Sequence, residues 1–468
     1  MFEGLYEAQR RLRLHEPGGG PRRGELAVTS LPSGSPSRDE EAQAATVAVC
    51  AEVPIALAPL PSEQRIEVVD ALRGFALLGI LLVNMAFFAG PWEAILVETP
   101  LWPAAHDRAA TWLIGFLATS KFYSLFSFLF GFGIYVQMER AAQRQARFGT
   151  FYVRRLLILL VVGAAHATLV WSGDILMLYA ILGLVLWWFR RRKPKTLLVW
   201  AALLLLLPVL FMAACTGLLA LAKFDPTAAA QVEAARAAQQ QDVEQALRVS
   251  LAAYRDGSFG DILRQRLVDL RGCAFFLAFM APSVLGMFLL GLLAGQRGYL
   301  SNAGEHLRFF RRVVIWGLVL GVIGNLVYAT GLTTTSLLWP TPALLATFAG
   351  GAVGAPALCL FYAAALILLW QRPAWQRRLR PLTAVGRMSL TNYLLQSIVC
   401  TTIFYSYGLG LFGRVGPATG VALAVLIYLA QIALSHWWVR HYRFGPMEWL
   451  WRSLAYMRPA ALRAGAVA

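Results

Sequence analysis

Long apolar runs separated by polar joints dominate the sequence after about residue 60. Most runs approach or exceed the roughly 20 residues that an α-helix needs to cross the hydrocarbon core of a bilayer. The runs cover residues 68–88, 112–138, 153–171, 174–189, 197–222, 273–296, 312–330, 341–370, 387–408 and 417–438. The pattern predicts an all-α, polytopic integral membrane helical bundle of about ten transmembrane helices. Because the second run is long, it is expected to hold a short interfacial piece before its span.

The composition and the placement of charge agree with this prediction. Hydrophobic residues make up 58% of the chain and charged residues 14%, against about 25% charged residues in ordinary soluble domains. The net charge is +17, but the arginines cluster in alternate joints between the apolar runs. That pattern follows membrane topology and gives no indication of nucleic-acid binding. It predicts a multi-pass protein of the plasma (inner) membrane with both termini in the cytoplasm.

Three segments depart from the pattern of apolar runs and short joints. Residues 1–62 are rich in Pro, Gly, Ser and charge, which predicts a disordered N-terminal tail without the apolar core of a cleaved signal peptide. Residues 224–272 are alanine-rich, polar and helix-prone, which predicts an extracytoplasmic helical insertion within a transmembrane domain at 63–456. Residues 457–468 are expected to form a C-terminal tail.

The first apolar run carries a stripe of polar residues. Arg73 and Asn84 are eleven positions apart, which places them within about 20° on a helix and about 16 Å apart along its axis. Asp70 falls about 60° from Arg73. Arg73 could instead be a snorkelling anchor paired with Asp70, and Asn84 could bridge two helices. Their alignment favours a shared, water-accessible cavity inside the bundle.

A second group of polar residues lies in or beside the following spans. His166 and Asp174 form either a proton carrier or acid–base pair, or a satisfied packing contact. Lys121 and Ser127 lie in a run whose small residues could equally serve helix packing.

The last two spans contribute further candidates. Asn392 and Gln396 share one helix face in the ninth span, and Arg387 lies at its cytoplasmic end, where an anionic headgroup or lipid phosphates would find charge. The aromatic and basic segment after the last span predicts an interfacial belt in which Glu448 pairs with a neighbouring arginine. The five cysteines show no metal-ligand spacing, so no metal is expected.

Five stretches together resemble one protein family. They are RIEVVDALRGFALLGILLVNM, KFYSLFSFLFGFG, HATLVWSGDILMLYAILG, GRMSLTNYLLQSIV and FGPMEWLWR. In this order, over roughly residues 64–456, the chain resembles the YeiB-like bacterial membrane proteins, whose C-terminal half is a domain of unknown function. That family is similar to the transmembrane acyltransferase superfamily, which includes acyltransferase-three-like proteins and heparan-alpha-glucosaminide N-acetyltransferase.

The resemblance implies an acyl transfer across the membrane. Acyltransferase-three proteins carry an Arg, ten residues and then a His, a pattern that falls here on Arg73 and Asn84, with Asn in place of His. The heparan enzyme uses an Asn in this segment and a His in the following loop, where this chain has His106. An acyl-CoA, such as acetyl-CoA, would donate from the cytoplasm to a glycan or envelope acceptor outside.

The implied roles fall into three groups. The catalytic group is Asn84, His166, Asp174 and His106; the cofactor-binding group is Asp70, Arg73, Arg387, Asn392 and Gln396; the substrate-binding group is Trp92, Lys121, Ser127 and Trp171. The alternatives from the residues alone are a transporter or flippase for a small solute or lipid intermediate, and a non-catalytic module. The acyl group, the acceptor and homo-oligomerisation stay open.

Overall fold

Helices account for nearly all of the residues that the structure describes. A computed structural model describes residues 66–97, 100–146, 148–459 and 461–463. The predicted N-terminal tail, 1–62, and residues 464–468 of the predicted C-terminal tail lie outside the described residues. The chain divides after Pro54, and every described residue belongs to the unit that follows.

The described ranges form fourteen α-helices and no strand, apart from a single antiparallel bridge between Tyr442 and Arg463. In chain order the helices are α1 (Glu67–Ala89), α2 (Ala105–Leu117), α3 (Lys121–Gln143), α4 (Phe148–Leu169), α5 (Leu176–Leu186), α6 (Pro194–Ala222), α7 (Pro226–Asp256), α8 (Phe259–Gln296), α9 (Leu307–Thr334), α10 (Pro342–Trp370), α11 (Pro373–Arg387), α12 (Ser389–Phe404), α13 (Pro417–His441) and α14 (Pro446–Tyr456). Proline opens six of them, because its fixed φ suits the first helical turn, where the N–H has no intrahelical partner.

The predicted helical membrane bundle is confirmed, but fewer segments are long and apolar enough to span a membrane than the sequence predicts. Within the described ranges, eight segments are long and apolar enough to cross a membrane. The remaining predicted runs, 174–189 and 387–408, correspond to the shorter α5 and α12. As expected, the second run divides in two: Ser120 has a left-handed backbone (φ 69°) and separates α2 from α3.

Close backbone approach holds the central helices together. A Cβ on Gly386 of α11 would overlap the carbonyl oxygen of Asp70 in α1, and one on Gly291 of α8 would overlap that of Phe128 in α3. Small residues allow such contacts between membrane helices, where apolar side chains gain little by leaving lipid for one another. As a result α1 packs against α3, α11, α12 and α13, and Asp70 of its polar stripe is buried.

The segment at 224–272 is helical, as its composition predicts. It forms α7 and the first turns of α8, joined at Gly257 and Ser258. Ser258 and Asp261 make a capping box at the start of α8, which satisfies amide groups left free at a helix N-terminus.

Candidate active site

A cavity of about 330 Å³ lies among α1, α3, α4, α5, α11, α12 and α14. This volume is in the range of small-molecule sites. Six arginines line it: Arg73, Arg140, Arg144, Arg155, Arg387 and Arg452. The carboxylates of the lining are those of Asp70 and Glu448. Positive charge therefore exceeds negative charge on its walls.

The charge lies at one end of the cavity. On α1 the lining runs from Val69, through the charged Asp70 and Arg73, to Ile80, and on α3 it runs from Arg140 back to Phe126. The helix rises about 10 Å between Arg73 and Ile80 and about 21 Å between Phe126 and Arg140, so the two antiparallel helices lead from an arginine rim to an apolar floor. We call the end of the bundle that holds these arginines the arginine side. The cavity thus matches an amphiphile that has a polyanionic head and an apolar end.

Two of the arginines are held by contacts on the first and third helices. Arg73 donates from Nη1 to Oδ1 of Asp70 at 3.1 Å, and its guanidinium lies against Gly133, where a Cβ would be 3.5 Å from Nη2. Arg155 donates to Oε1 of Gln137 and lies 4.1 Å from the ring centroid of Trp451. These contacts hold both guanidinium groups at the cavity wall.

Arg387 has fewer hydrogen-bond partners for its guanidinium nitrogens. Its Nη2 donates to the carbonyl oxygen of Arg443 at 3.4 Å. Its Nε is buried and has no hydrogen-bond partner among the described residues. A buried donor without an acceptor is costly, so this nitrogen is suited to an anionic group from a ligand.

Glu448 caps a helix as well as interacting electrostatically with Arg452, one of its neighbouring arginines. Its Oε1 accepts from the backbone N–H of Leu390 at 2.6 Å and of Thr391 at 3.2 Å, and its Oε2 accepts from Oγ1 of Thr391 at 2.6 Å. The carboxylate therefore caps the N-terminus of α12 from the distant helix α14, a position that the helix dipole favours. Burial raises the pKa of Glu448, and the hydrogen bonds from Thr391 and Leu390 oppose that rise.

A buried histidine–aspartate pair lies beyond the apolar floor. Nδ1 of His166 is 2.8 Å from Oδ2 of Asp174, and Oδ1 of Asp174 accepts from the N–H of Met177 at 2.9 Å. Gly163 makes room for the carboxylate, because a Cβ there would come within 2.9 Å of Oδ1. His166 is 3% exposed, and its Nε2 has no partner among the described residues. The pair has the form of an oriented base with one free nitrogen.

Tyr393 connects the histidine to the cavity. Its ring centroid lies 5.3 Å from that of His166, and the same tyrosine lines the cavity. His166 itself is not part of the lining; one aromatic ring separates the two. On its other side His166 meets Trp171, at a centroid distance of 6.4 Å, and Trp171 in turn packs on Phe88 at 4.2 Å.

Asn84 and His106 lie apart from this arrangement. Asn84 is half-buried on α1 and belongs to neither the cavity lining nor a side-chain hydrogen bond within the described ranges. His106, at the start of α2, is 72% exposed in its side chain, and its Nε2 lies 3.3 Å from Oδ2 of Asp107. Of the predicted stripe, the cavity takes Asp70 and Arg73; on α1 its lining ends at Ile80, before Asn84.

Asn392 and Gln396 join two helices and do not face the cavity. Nδ2 of Asn392 donates to Oγ of Ser435 at 2.9 Å, and Nε2 of Gln396 donates to Oε1 of Gln431 at 2.8 Å. Gln431 returns a bond from Nε2 to the backbone oxygen of Asn392 at 2.9 Å. We call these four side chains the α12–α13 seam.

The predicted substrate-binding residues are spread over the bundle. Lys121 is fully buried, and its Nζ donates to the carbonyl oxygen of Gly115 at 2.6 Å. Ser127 lies 2.8 Å from the hydroxyl of Tyr179, a tyrosine of the cavity lining. Trp92 lies in a short 3₁₀ helix, and its ring would meet a Cβ on Gly272 at 2.7 Å.

Four of the cavity arginines, Arg140, Arg144, Arg155 and Arg452, were absent from the predicted site. The arginine-rich joints follow the pattern of membrane topology, and the segment of Arg452 follows the pattern of an interfacial belt, so neither stands out in the sequence as part of a site. A signal was nevertheless present in α3. Phe126, Phe130, Gly133, Gln137, Arg140 and Arg144 follow one another at alternating spacings of four and three residues. That spacing marks one helix face, which changes from aromatic to basic toward the arginine side.

Similarity to known proteins extends over most of the chain. A family model described as a protein of unknown function (DUF418) matches residues 294–458. The uncharacterized protein YxaH of Bacillus subtilis (strain 168) is 40% identical over 417 residues, which cover 86% of this chain and 96% of that protein. The uncharacterized protein YeiB of Escherichia coli (strain K12) is 31% identical over 415 residues, which cover 84% and 96%. An uncharacterized 39.9 kDa protein in the amylase 3′ region of Bacillus acidopullulyticus is 30% identical over 407 residues, which cover 86% and 96%.

Proposed function

The chain belongs to the YeiB-like family of DUF418 proteins, and we propose that it is an acyltransferase of the plasma (inner) membrane. It takes an acyl group from acyl-CoA, such as acetyl-CoA, on the cytoplasmic face. It passes that group to a glycan or another envelope acceptor on the opposite face. The positive-inside rule supports placing the arginine side in the cytoplasm.

The observation that carries the proposal is the position of Tyr393. It is at once part of the wall of the arginine-rimmed cavity and a neighbour of the buried His166–Asp174 pair. A ligand held by its phosphates at the rim would therefore direct its other end toward a base. Neither a simple lipid-anchoring patch nor a packing histidine accounts for both halves of this arrangement.

The arginine rim fits the donor's head. Coenzyme A carries three phosphate groups, and arginine guanidinium groups bind phosphate oxygens through charge-assisted, often bidentate hydrogen bonds. Arg387 has a buried Nε without a hydrogen-bond partner in the part of the chain that the structure describes, and Arg73 is oriented by Asp70. The apolar floor at Leu77 and Ile80 suits the acyl end and excludes water from it.

The histidine supplies the proton transfer. Asp174 accepts a hydrogen bond from Nδ1–H of His166, which keeps the proton on Nδ1 and leaves Nε2 as the basic nitrogen. Nε2 takes the proton of the acceptor's hydroxyl or amine as the new bond to the acyl carbon forms. The carbon–sulfur bond breaks, and the same proton passes to the departing thiolate, so that coenzyme A leaves as the thiol. Tyr393 has to turn aside or carry this proton, because its ring separates His166 from the cavity.

The test uses the purified full-length protein in detergent. Isothermal titration with coenzyme A and with acetyl-CoA is expected to show binding that weakens as salt is raised. The wild type is expected to cleave the thioester, which is measured as the release of free thiol. The variant His166→Ala is expected to lose this activity. Absence of binding to either compound, together with solute uptake by proteoliposomes, would overturn the proposal in favour of a transporter.

A further inference from the structure

Five of the six arginines that line the cavity fall into two groups at different depths. Arg73, Arg155 and Arg452 come from three helices, α1, α4 and α14, and we call them the inner triad. Arg140 and Arg144 lie at the C-terminal end of α3, and we call them the terminal pair. Each group is a separate concentration of positive charge on the cavity wall.

Charge interactions link every member of the inner triad to the other two. Arg155 interacts electrostatically with Arg73 and with Arg452, and Arg452 interacts with Arg73. The nearby carboxylates of Asp70 and Glu448 also interact with Arg452, but two carboxylates do not balance three guanidinium groups. Like charges held this close repel one another. The inner triad therefore suits a ligand that carries more than one negative charge.

The terminal pair lies farther from the apolar floor than the inner triad does. Arg140 and Arg144 interact electrostatically with each other, as positions four apart on one helix face do. Gln137 accepts a hydrogen bond from Arg155, so it marks the level of the inner triad on α3. From Gln137 the helix rises about 5 Å to Arg140 and about 10 Å to Arg144. The two groups are thus offset along the length of the cavity.

Tyr456 lies between the two groups. Its phenol interacts electrostatically with Arg140 of the terminal pair and with Arg155 and Arg452 of the inner triad. Its ring centroid lies 4.8 Å from that of Phe151, and both rings line the cavity. Aromatic side chains at such places stack on nucleobases. The wall between the two arginine groups is therefore suited to a base.

This arrangement matches the nucleotide end of coenzyme A. One ribose carries a phosphate monoester at its 3′ position and a diphosphate at its 5′ position, and the monoester has close to two negative charges at neutral pH. The order along the cavity is terminal pair, inner triad and apolar floor. The order along the molecule is 3′-phosphate, diphosphate and thioester. A donor that lacks the nucleotide, such as a phosphopantetheine thioester, has one phosphate group and would leave one arginine group unmatched.

From this match we propose that the terminal pair binds the 3′-phosphate of coenzyme A while the inner triad binds its diphosphate. The inference rests on the proposed function and deepens it: the donor is a thioester of the complete nucleotide, not of phosphopantetheine on a carrier protein. The adenine lies along the wall formed by Tyr456, and the pantetheine arm runs from the inner triad toward the apolar floor.

The experiment compares coenzyme A with dephospho-coenzyme A, which lacks only the 3′-phosphate. Each is titrated by calorimetry into the full-length protein in detergent. Coenzyme A is expected to bind at least about tenfold more tightly, and the preference should shrink as salt is raised. Adenosine 3′,5′-bisphosphate is expected to compete with coenzyme A. Equal affinities would assign the terminal pair to the membrane surface, and either that result or a lack of competition would overturn the proposal.

Matched variants locate the subsite. Arg144→Gln is expected to weaken coenzyme A binding by about tenfold and to leave dephospho-coenzyme A binding unchanged, so that the preference is largely lost. Arg452→Gln, in the inner triad, is expected to weaken both and to keep the preference. The control is Arg191→Gln, at an exposed arginine between α5 and α6, which should bind both compounds as the wild type does.

A second variant guards against misfolding. If Arg144→Gln does not fold, Arg140→Gln tests the terminal pair with the same expected loss of preference. A folded variant of the terminal pair that keeps the full preference for coenzyme A would contradict the proposal.

Binding and transfer together separate this inference from the proposed function. A preference for coenzyme A that depends on Arg144, without any acyl transfer by the wild type, would leave the nucleotide subsite standing and sink the acyltransferase. Acyl transfer with equal affinities for coenzyme A and dephospho-coenzyme A would do the reverse. No binding of either compound would overturn both.

Discussion

Two sets of buried polar side chains in the bundle differ in how completely their polar atoms are hydrogen-bonded by protein. In the α12–α13 seam, neutral groups pair across the two helices: Asn392 with Ser435, and Gln396 with Gln431. Apart from Oδ1 of Asn392, the polar side-chain atoms of this seam are matched by protein. Elsewhere in the part of the bundle that the structure describes, buried atoms without a hydrogen-bond partner include those of four ionisable side chains, His166, Arg387, Arg266 and Glu93.

The difference separates polar groups that build the fold from groups that await a ligand. A neutral amide pair costs little to bury once both members are hydrogen-bonded, and it fixes the register of two helices. A charged group left with a free donor or acceptor costs several times more. Such a group is retained in a membrane protein chiefly where it contacts a substrate, an ion or a proton path.

The largest expected effect is at His166. His166→Ala removes the base, so acyl transfer is expected to fall by about 10²- to 10⁴-fold, while coenzyme A binding at the rim persists. Initial rates of thiol release with acetyl-CoA measure it. The control is His436→Ala, an exposed histidine on α13. If His106→Ala abolishes transfer and His166→Ala does not, the base has been assigned to the wrong histidine.

The next effect concerns Glu93 and pH. Burial, and then the charge of Asp269, raise the pKa of Glu93 to about 7 from 4.5. Between these values the native protein keeps a proton that the unfolded chain has lost, so the free energy of unfolding falls as pH rises. At about 1.4 kcal/mol per pH unit the loss amounts to about 3 kcal/mol.

Urea unfolding in detergent at about pH 5 and pH 8 measures this loss. Glu93→Gln is expected to make the pH dependence flatter, because its amide does not titrate, whereas Asp256→Asn, at an exposed residue near the end of α7, should leave it as it is. Parallel pH curves for Glu93→Gln and the wild type would contradict a buried, titrating Glu93.

Sequence patterns predict the fold more completely than they predict the candidate site. Apolar runs predict the spans because every backbone group in lipid must be satisfied within a helix, and the second run divides at Ser120 into a shorter and a longer helix, as its length predicts. The stripe of Asp70 and Arg73 pointed at a cavity because helical spacing is local. The α12 face carrying Asn392 and Gln396 looked the same, yet it meets α13. Tertiary packing decides which neighbouring helix a polar face contacts. The periodicity of residues along one helix carries no information about that neighbour.

Charge was the harder signal to interpret. Arg140 and Arg452 lie in arginine-rich segments whose location already followed from topology, so nothing in composition separated a cavity arginine from a headgroup anchor. Glu448 illustrates the same limit. Its partners are the N–H groups of Leu390 and Thr391, nearly sixty residues away in sequence, and only the docking of α14 onto α12 brings them together.

A smaller effect is expected at the arginine rim. Arg387→Gln removes a charge and the unmatched Nε, so coenzyme A is expected to bind about 10- to 100-fold more weakly, or about 2 kcal/mol. The loss should diminish at high salt. Arg377→Gln, an exposed arginine on the same helix α11, is the matched control. Equal affinities of the two variants would place the phosphates elsewhere.

The smallest effect tests the seam itself. Gln396→Leu leaves Oε1 of Gln431 without its donor, and it is expected to lower the free energy of unfolding by about 1 kcal/mol. The double variant Gln396→Leu with Gln431→Leu removes both partners and should lose less than the two single variants together. Coenzyme A affinity per folded molecule should stay at the wild-type value in all three. If Gln396→Leu instead weakened coenzyme A binding and left the free energy of unfolding unchanged, the seam would be part of the donor site. Hydrogen-bonded polar pairs would then bind ligand as well, and the distinction between matched and unmatched polar groups would be wrong.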